Sequence, residues 1–136
     1  MLVSTKGRYA LRFLLDLAQH RNEGAVSLKS IAERQDISKK YLERIIALLN
    51  PSGMLHITRG YQGGYQLNRE PSQITVAEVL HLTEGGFAPV PAEELDPADG
   101  TTYVWECLEG AITRCLENMT LQDILDNYDP PIEYYI

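Results

Sequence analysis

Hydrophobic positions recur at helical spacing through the first part of the chain. Residues 4–20 carry an apolar face that returns every three or four positions, formed by Tyr9, Leu11, Phe13, Leu14, Leu17 and Ala18. A second, shorter helix is predicted from Leu28 to Gln35, and a third begins after Ser38. Ser27 and Ser38 stand just before these two helices, where a serine side chain accepts from free backbone N–H groups. The pattern therefore predicts three short helices in succession.

The second and third helices are separated only by Asp36-Ile37-Ser38, which predicts a tight turn. Aspartate tolerates a left-handed backbone, and Ile37 and Leu42 have the spacing of a hydrophobic staple, which fixes the angle at which a helix begins. Leu42 and Ile45 then pack the third helix against the second. This arrangement leaves polar residues at the exposed start of the third helix, namely Ser38, Lys39, Lys40, Tyr41, Glu43 and Arg44. A helix-turn-helix places that end in the major groove of DNA.

A β-hairpin is predicted directly after the third helix. Strands 55–58 and 64–67 flank the glycine-rich segment Arg59-Gly60-Tyr61-Gln62-Gly63. An arginine at such a tip reaches a phosphate or the edge of a narrow minor groove. A plain hairpin with a solvated arginine is the alternative, but its place after a helix-turn-helix favours a DNA-binding wing. The predicted fold class is mainly α, a winged helix-turn-helix with a two-stranded wing and a long C-terminal dimerisation helix.

The C-terminal half continues with helices around an acidic loop. Thr75 to Leu82 is predicted as a helix with a Thr75–Glu78 capping box, residues 85–101 as a loop, and Leu121 to Asp126 as a last short helix. Between them, Thr102 to about Met119 forms a long amphipathic helix. Its apolar positions are Val104, Trp105, Leu108, Ala111, Ile112, Cys115 and Met119.

This long helix has more apolar surface than a small winged domain covers. We interpret it as a dimerisation helix, with packing inside the same chain as the alternative. The predicted organisation is a DNA-binding domain over residues 1–84, a loop over 85–101, and a dimerisation helix with a C-terminal tail over 102–136.

Charge is divided between the two halves of the chain. Residues 1–70 carry eleven Lys and Arg against six Asp and Glu, whereas residues 71–136 carry one basic residue, Arg114, against thirteen acidic ones. The net charge of -7 therefore conceals a basic half suited to phosphate and an acidic half that is not. Chance asymmetry on a solvated surface is the alternative explanation.

The sequence contains no pattern typical of an enzyme, a membrane span or a secretion signal. It has no phosphate-binding loop of the G-x-x-x-x-G-K-[ST] type, no G-x-S-x-G and no H-E-x-x-H. No apolar run approaches the ~20 residues that cross a bilayer, and the N-terminus lacks the apolar core of a signal peptide. A cytoplasmic, non-enzymatic protein is therefore expected.

The candidate metal ligands are few and badly spaced. Cys107 and Cys115 lie eight residues apart on a predicted helix, about 12 Å along its axis, so one metal ion cannot bind both. We interpret them as small buried core residues. A disulfide across a dimer axis is the alternative, which a reducing cytosol disfavours. The remaining candidates are His20, His56 and His81, and no cofactor is expected.

Four segments together carry a family resemblance: Ser4-Thr5-Lys6-Gly7-Arg8-Tyr9-Ala10, Ser27-Leu28-Lys29-Ser30-Ile31-Ala32, Tyr41-Leu42-Glu43 and Arg59-Gly60-x-x-Gly63-Gly64-Tyr65-x-Leu67. With Thr120-Leu121-x-Asp123, they resemble the IscR/NsrR/CymR family of bacterial winged-helix transcriptional regulators along the whole chain. The resemblance implies a homodimer that binds a palindromic operator. It implies that four residues contact the major groove or its phosphates: Ser38, Lys40, Tyr41 and Arg44. It places Arg59 and Tyr61 in the wing, and Thr5, Arg8 and Tyr9 near backbone phosphate.

Two departures from the family pattern narrow what the resemblance implies. Members with an iron–sulfur cluster carry three cysteines in the loop between residues 85 and 103, and here that loop has none. Asn50-Pro51-Ser52 replaces the basic residue often found after the recognition helix. A cluster is therefore not supported, although redox or iron–sulfur sensing through Cys107 and Cys115 stays as the alternative function.

The chain is most similar to the cluster-free, CymR-like members of the family. That similarity implies a repressor of cysteine or sulfur metabolism that acts with cysteine synthase. The ending Tyr134-Tyr135-Ile136 is similar to theirs. By this resemblance, the side chain and carboxylate of Ile136 enter the synthase active site in place of an amino-acid substrate. Packing of the same three residues onto their own domain is the alternative.

Overall fold

The computed structural model describes residues 2–128 as six α-helices, one β-hairpin and short 3₁₀ turns. The helices and strands in chain order are α1 (Thr5–Gln19), α2 (Leu28–Gln35), α3 (Lys39–Leu49), β1 (Leu55–Thr58), β2 (Gly64–Leu67), α4 (Val76–Glu84), α5 (Thr102–Glu117) and α6 (Leu121–Asn127). This order confirms the predicted winged helix-turn-helix followed by a long C-terminal helix.

Helix α1 is the centre of the N-terminal domain. It contacts α2, α3, α4, α6 and β2, and its Phe13, Leu14 and Leu17 are buried among Ile31 of α2 and Leu42 of α3. The side chains of Ser4, Ser27 and Ser38 each accept from the backbone N–H three residues further on. The predicted serine caps of α2 and α3 are therefore confirmed, and Ser4 caps α1 in the same way.

The hairpin β1–β2 is antiparallel and has the predicted bounds, with Leu55 opposite Leu67 and Thr58 opposite Gly64. Val26, in the segment before α2, pairs with Tyr65 through two backbone hydrogen bonds of 3.0 and 2.8 Å. A Cβ at Gly64 would lie 2.2 Å from the carbonyl oxygen of Val26, so only glycine permits this approach. The ring of Tyr65 also packs edge-on against Phe13, 6.1 Å between ring centres.

Helices α5 and α6 differ in how far they join this core. Leu121 of α6 is fully buried in the main core, and the backbone N–H of Leu121 donates to the carbonyl of Ile74. Thr120 and Asp123 form the capping box that begins α6. In contrast, no residue of α5 is buried. One side of α5 packs on the cluster of Val76, Ala77, Leu80 and Phe87 through Ile112 and Leu116.

Three local predictions were wrong. Cys107 and Cys115 are exposed on α5, because the side of this helix that packs within the chain is the one with Ile112. Helix α4 continues past Leu82 to Glu84, where Gly85 ends it in a left-handed conformation. Thr75 caps α4, but Glu78 does not complete the box. Its carboxylate accepts from Arg69 at 2.6 Å instead.

The last residue of α4 caps the start of α1. The carboxylate of Glu84 accepts from the backbone N–H of Ser4 at 2.6 Å and from the Ser4 hydroxyl at 2.7 Å. Burial raises the pKa of Glu84, but hydrogen bonds from Ser4 and Thr83 and the nearby Lys6 charge outweigh it, and the pKa lies below its ordinary value. Negative charge at a helix N-terminus is also favourable. In a capping box, an acidic side chain three residues after the cap accepts from the backbone N–H of the cap. That position is Gly7 here, so Glu84 of α4 takes this role instead.

Glu84→Gln should make the free energy of unfolding less dependent on pH in the acidic range. A carboxyl whose pKa is lowered by folding adds stability above its unfolded pKa, and that stability is lost as pH falls through the folded pKa. Urea unfolding should show the wild type more stable than the variant by about 1 kcal/mol at neutral pH. This difference should shrink below about pH 4.3 and vanish in stronger acid. A difference that does not change with pH would contradict the proposed role of the charge.

Candidate nucleic-acid interface

The start of α3 presents cationic side chains to solvent. Ser38 accepts from the backbone N–H of Tyr41 at 3.1 Å, while Lys39, Lys40 and Arg44 are exposed. Leu42, on the opposite side of the helix, is fully buried. The positive end of the helix dipole adds to these charges. This end of α3 can therefore accept phosphate and present side chains to base edges, as the sequence predicts.

The turn before α3 has the conformation that its residues predict. Asp36 has a left-handed backbone with φ 53°, and its backbone N–H donates to the carbonyl of Ala32. Ile37 and Leu42 are both buried, in agreement with a hydrophobic staple. The direction in which α3 leaves the turn is therefore set by local contacts on both sides of Ser38.

A buried carboxylate ties this turn to α1. Asp16 is 1% exposed and accepts from Arg34 Nε at 3.0 Å, from Arg34 Nη2 at 2.7 Å and from Gln35 Nε2 at 2.9 Å. The hydrogen bond with Asp16 is the main cause that raises the pKa of Arg34. Sequence reasoning missed this pair, since eighteen residues separate its members and a lone Asp on an apolar face was the only signal. A bidentate Arg–carboxylate pair also restricts orientation.

Tyr9 connects α1 to the recognition helix. Its ring packs edge-on against the ring of Tyr41, 5.6 Å between centres, and both residues are half-buried. The Arg8 guanidinium lies 5.9 Å from the centre of the Tyr9 ring and donates to the Thr5 hydroxyl. The structure thus brings together four of the predicted DNA-binding residues, three from α1 and one from α3.

Arg12 belongs to the same surface, although the sequence patterns did not predict it as a DNA-binding residue. Its guanidinium lies 5.1 Å from the Tyr9 ring centre, on the turn of α1 that follows Arg8. It donates to both the side-chain and backbone carbonyl oxygens of Gln35. The signal that could have identified it is the spacing of Arg8 and Arg12, four residues apart on an exposed side of α1.

The wing presents two of the predicted residues at its tip. Arg59 is exposed and Tyr61 is 96% exposed. Gln62 has φ 63°, and the backbone N–H of Gly63 donates to the carbonyl of Gly60 at 2.9 Å, which closes the turn. Both side chains are therefore accessible at the tip of the hairpin.

The remaining predicted residues lie elsewhere. Val104, Leu108, Ala111, Cys115 and Met119 are exposed, mostly along α5, whereas Ile112 faces α4. Tyr134, Tyr135 and Ile136 lie outside the described residues. Within residues 2–128, no helix combines the length and apolarity needed to cross a bilayer. Over the same range, no three His, Cys, Asp or Glu side chains are grouped so that they could hold a metal ion.

A winged helix-turn-helix whose third helix begins with exposed cationic side chains is the arrangement typical of DNA-binding transcriptional regulators. The chain belongs to the Rrf2 family, described as an iron-dependent transcriptional regulator, whose family model matches residues 3–127. Its matched relatives are regulators and not enzymes.

Three relatives illustrate the similarity. The transcriptional regulator CymR of Bacillus subtilis is 36% identical over 136 residues, covering 100% of this chain and 98% of the relative. The solved structure of this global cysteine regulator has a TM-score of 0.84 and covers 95% of this chain and 99% of the other. The structure of T. potens IscR is 42% identical, with a TM-score of 0.77 over 93% and 88% of the two chains. The structure of oxidised Staphylococcus aureus CymR is 35% identical in sequence and has a TM-score of 0.80. It covers 96% of this chain and 100% of the other.

Proposed function

We propose that the protein is a cytoplasmic, homodimeric repressor that controls cysteine or sulfur metabolism without an iron–sulfur cluster. Residues 1–84 bind DNA, and α5 pairs two copies. The observation that carries the DNA-binding part is the exposed cationic start of α3, which follows a turn whose preceding helix is joined to α1 by Arg34 and the buried Asp16. In this proposal, α3 enters the major groove and the wing reaches the neighbouring backbone or minor groove.

Charge determines which face meets the operator. Lys39, Lys40 and Arg44 of α3, Arg8 of α1 and Arg59 of the wing supply phosphate contacts, which give most of the affinity. Ser38 and Tyr41 stand where α3 side chains reach base edges, which give specificity. The acidic residues after position 70 repel the same phosphates. The duplex therefore approaches from the N-terminal half.

Arg59→Met should weaken DNA binding and reduce its dependence on salt. An operator duplex can be obtained by selecting bound sequences from a random pool, and affinity measured by fluorescence anisotropy at several salt concentrations. Loss of one phosphate contact per subunit should lower affinity about tenfold and reduce the salt slope by about 0.9 for each subunit. Lys40→Met should act in the same direction. Arg114→Met, in the acidic half, is the matched control and should change neither value.

The dimer proposal rests on the outer side of α5. Val104 is 50% exposed and Leu108 42%, and both lie on one stripe with Ala111 and Cys115. A groove of 630 Å³ continues this stripe between α5 and α6, lined in part by Met119, Cys115, Ile124 and Tyr128. An exposed apolar stripe of this length, continued by a groove that Asn118, Asp123 and Asn127 also line, indicates an interface. A second copy suits it because two-fold pairing brings the same stripe from each chain together.

Leu108→Glu should convert the protein to a monomer. Placing one carboxylate from each chain inside the interface should raise the dimer dissociation constant by about a hundredfold. Analytical ultracentrifugation measures this directly. Glu106→Gln is the control, since residue 106 lies about 200° from residue 108 around the helix. If the Leu108 variant remains a dimer at the concentrations where the wild type does, α5 is not the pairing helix.

The cluster-free state is inferred from where the cysteines lie. The loop over residues 85–101 contains none, and the exposed Cys107 and Cys115 lie on α5, about 12 Å apart along its axis. This donor set does not fit the iron that the family description mentions. The exposure of both thiols favours redox sensing as the second candidate function.

Two measurements separate these alternatives. Visible absorbance after anaerobic purification would support a cluster. Loss of regulation only when both cysteines become alanine would support thiol sensing.

The assignment to cysteine metabolism is supported by the full-length similarity to the B. subtilis cysteine regulator. The proposed protein partner is cysteine synthase, bound through Tyr134, Tyr135 and Ile136.

Removing residues 133–136 should abolish binding of cysteine synthase while DNA affinity without the partner stays unchanged. Ile136→Asp, which keeps the chain length and the terminal carboxylate, should weaken synthase binding by at least about tenfold, as measured by calorimetry. Tyr134→Phe is the control and should retain binding. A synthase that binds the truncated chain as tightly as the full chain would exclude the tail as the binding element.

A further inference from the structure

Arg12 is held in place by the helix-turn-helix itself. Its Nε donates to the side-chain oxygen of Gln35 at 3.2 Å, and its Nη2 donates to the backbone oxygen of the same residue. The amide nitrogen of Gln35 donates in turn to the buried Asp16. The guanidinium also lies over the Tyr9 ring. The contacts with Gln35 and with the Tyr9 ring therefore hold the Arg12 side chain in one conformation, whereas a free arginine samples many rotamers.

This fixed guanidinium keeps donors for a ligand. Arginine has five N–H groups, and the hydrogen bonds within residues 2–128 use two of those on Arg12. Arg12 is exposed, as is Arg8 one turn earlier on α1. The carboxylate nearest in this network, Asp16, is already neutralised by Arg34. Three donors and a full positive charge thus remain on the surface shared with Tyr41 of α3.

We propose that Arg12 binds a backbone phosphate of the DNA strand that borders the groove entered by α3. With Arg8 it forms a pair of cations about 6 Å apart along α1, suited to neighbouring phosphates of one strand. Gln35 keeps the Arg12 fork oriented before DNA arrives, so less side-chain entropy is lost on binding. This inference rests on the proposed DNA-binding function and adds a contact to it.

The competing explanation is that Arg12 only joins α1 to the end of α2. Two substitutions separate the roles. Arg12→Gln removes the charge but keeps an amide that can donate to Gln35, whereas Arg12→Lys keeps the charge without the fork. Arg21→Met is the control, because Arg21 lies beyond the other end of α1, beside residues 67–73. Binding is measured on a labelled mixed-sequence duplex at several salt concentrations, and thermal unfolding is recorded for each variant.

A phosphate contact predicts a change in the salt slope. Arg12→Gln should reduce the slope of log affinity against log salt by about 0.9 per bound subunit, while Arg12→Lys keeps the slope and binds more weakly. Arg21→Met should match the wild type. Thermal unfolding of each variant is recorded at the same salt concentrations, so that a change in the slope is compared only where Arg12→Gln is fully folded. An unchanged slope for Arg12→Gln overturns the inference.

The same duplex separates this inference from the proposed function. Arg59→Met and Lys40→Met are measured beside the Arg12 variants. If these two reduce the slope and Arg12→Gln does not, Arg12 is a structural tie and the interface stands. If none of the three changes the slope, the proposed interface itself is wrong, and the Arg12 contact with it.

Discussion

The recognition helix depends on a carboxylate that lies inside the protein. Asp16 is buried on α1, and a buried charge is tolerated only when it is paired and hydrogen-bonded. Its partners are Arg34 and Gln35, the last two residues of α2. The pair therefore fastens α1 to α2 just where the chain turns toward α3. Together with the left-handed Asp36 and the Ser38 cap, this contact holds the turn from which α3 starts.

The apolar contacts and the charges divide the molecule along the same line. Helix α1 lies at the centre, with the wing attached through Val26 and Phe13 on one side and α4 on the other. Basic side chains cover the half built on α1 to α3. The acidic half carries α5, which packs on α4 by one side only. In the proposed function, DNA and the second subunit therefore use different surfaces, one on α1 to α3 with the wing and the other on α5.

Local sequence signals predicted the fold well. The serine caps, the left-handed Asp36, the staple at Ile37 and both strands follow from residues within five positions of one another. The contacts that were missed join distant positions. Glu84 meets Ser4 across eighty residues. No periodicity encodes such a pairing, because it depends on where α4 crosses α1.

The α5 cysteines show a second limit of sequence patterns. Hydrophobic spacing identifies an apolar stripe but not what covers it. Cys115 and Ile112 lie on neighbouring positions of the same amphipathic helix, yet only Ile112 faces α4. The candidate site has the same limit at Arg12. Its charge is visible in the sequence, whereas its attachment to Gln35 requires the packed turn.

The hydrogen bonds between Glu84 and Ser4 make α4 a connection between α1 and α5. One end of α4 touches the start of α1, and its apolar side carries α5. In the proposed dimer, α4 is therefore a rigid strut between the pairing axis and each DNA-reading unit. The length of its nine residues contributes to the distance between them. In that proposed dimer, the separation of the two operator half-sites therefore depends on how α4 joins the start of α1 to α5.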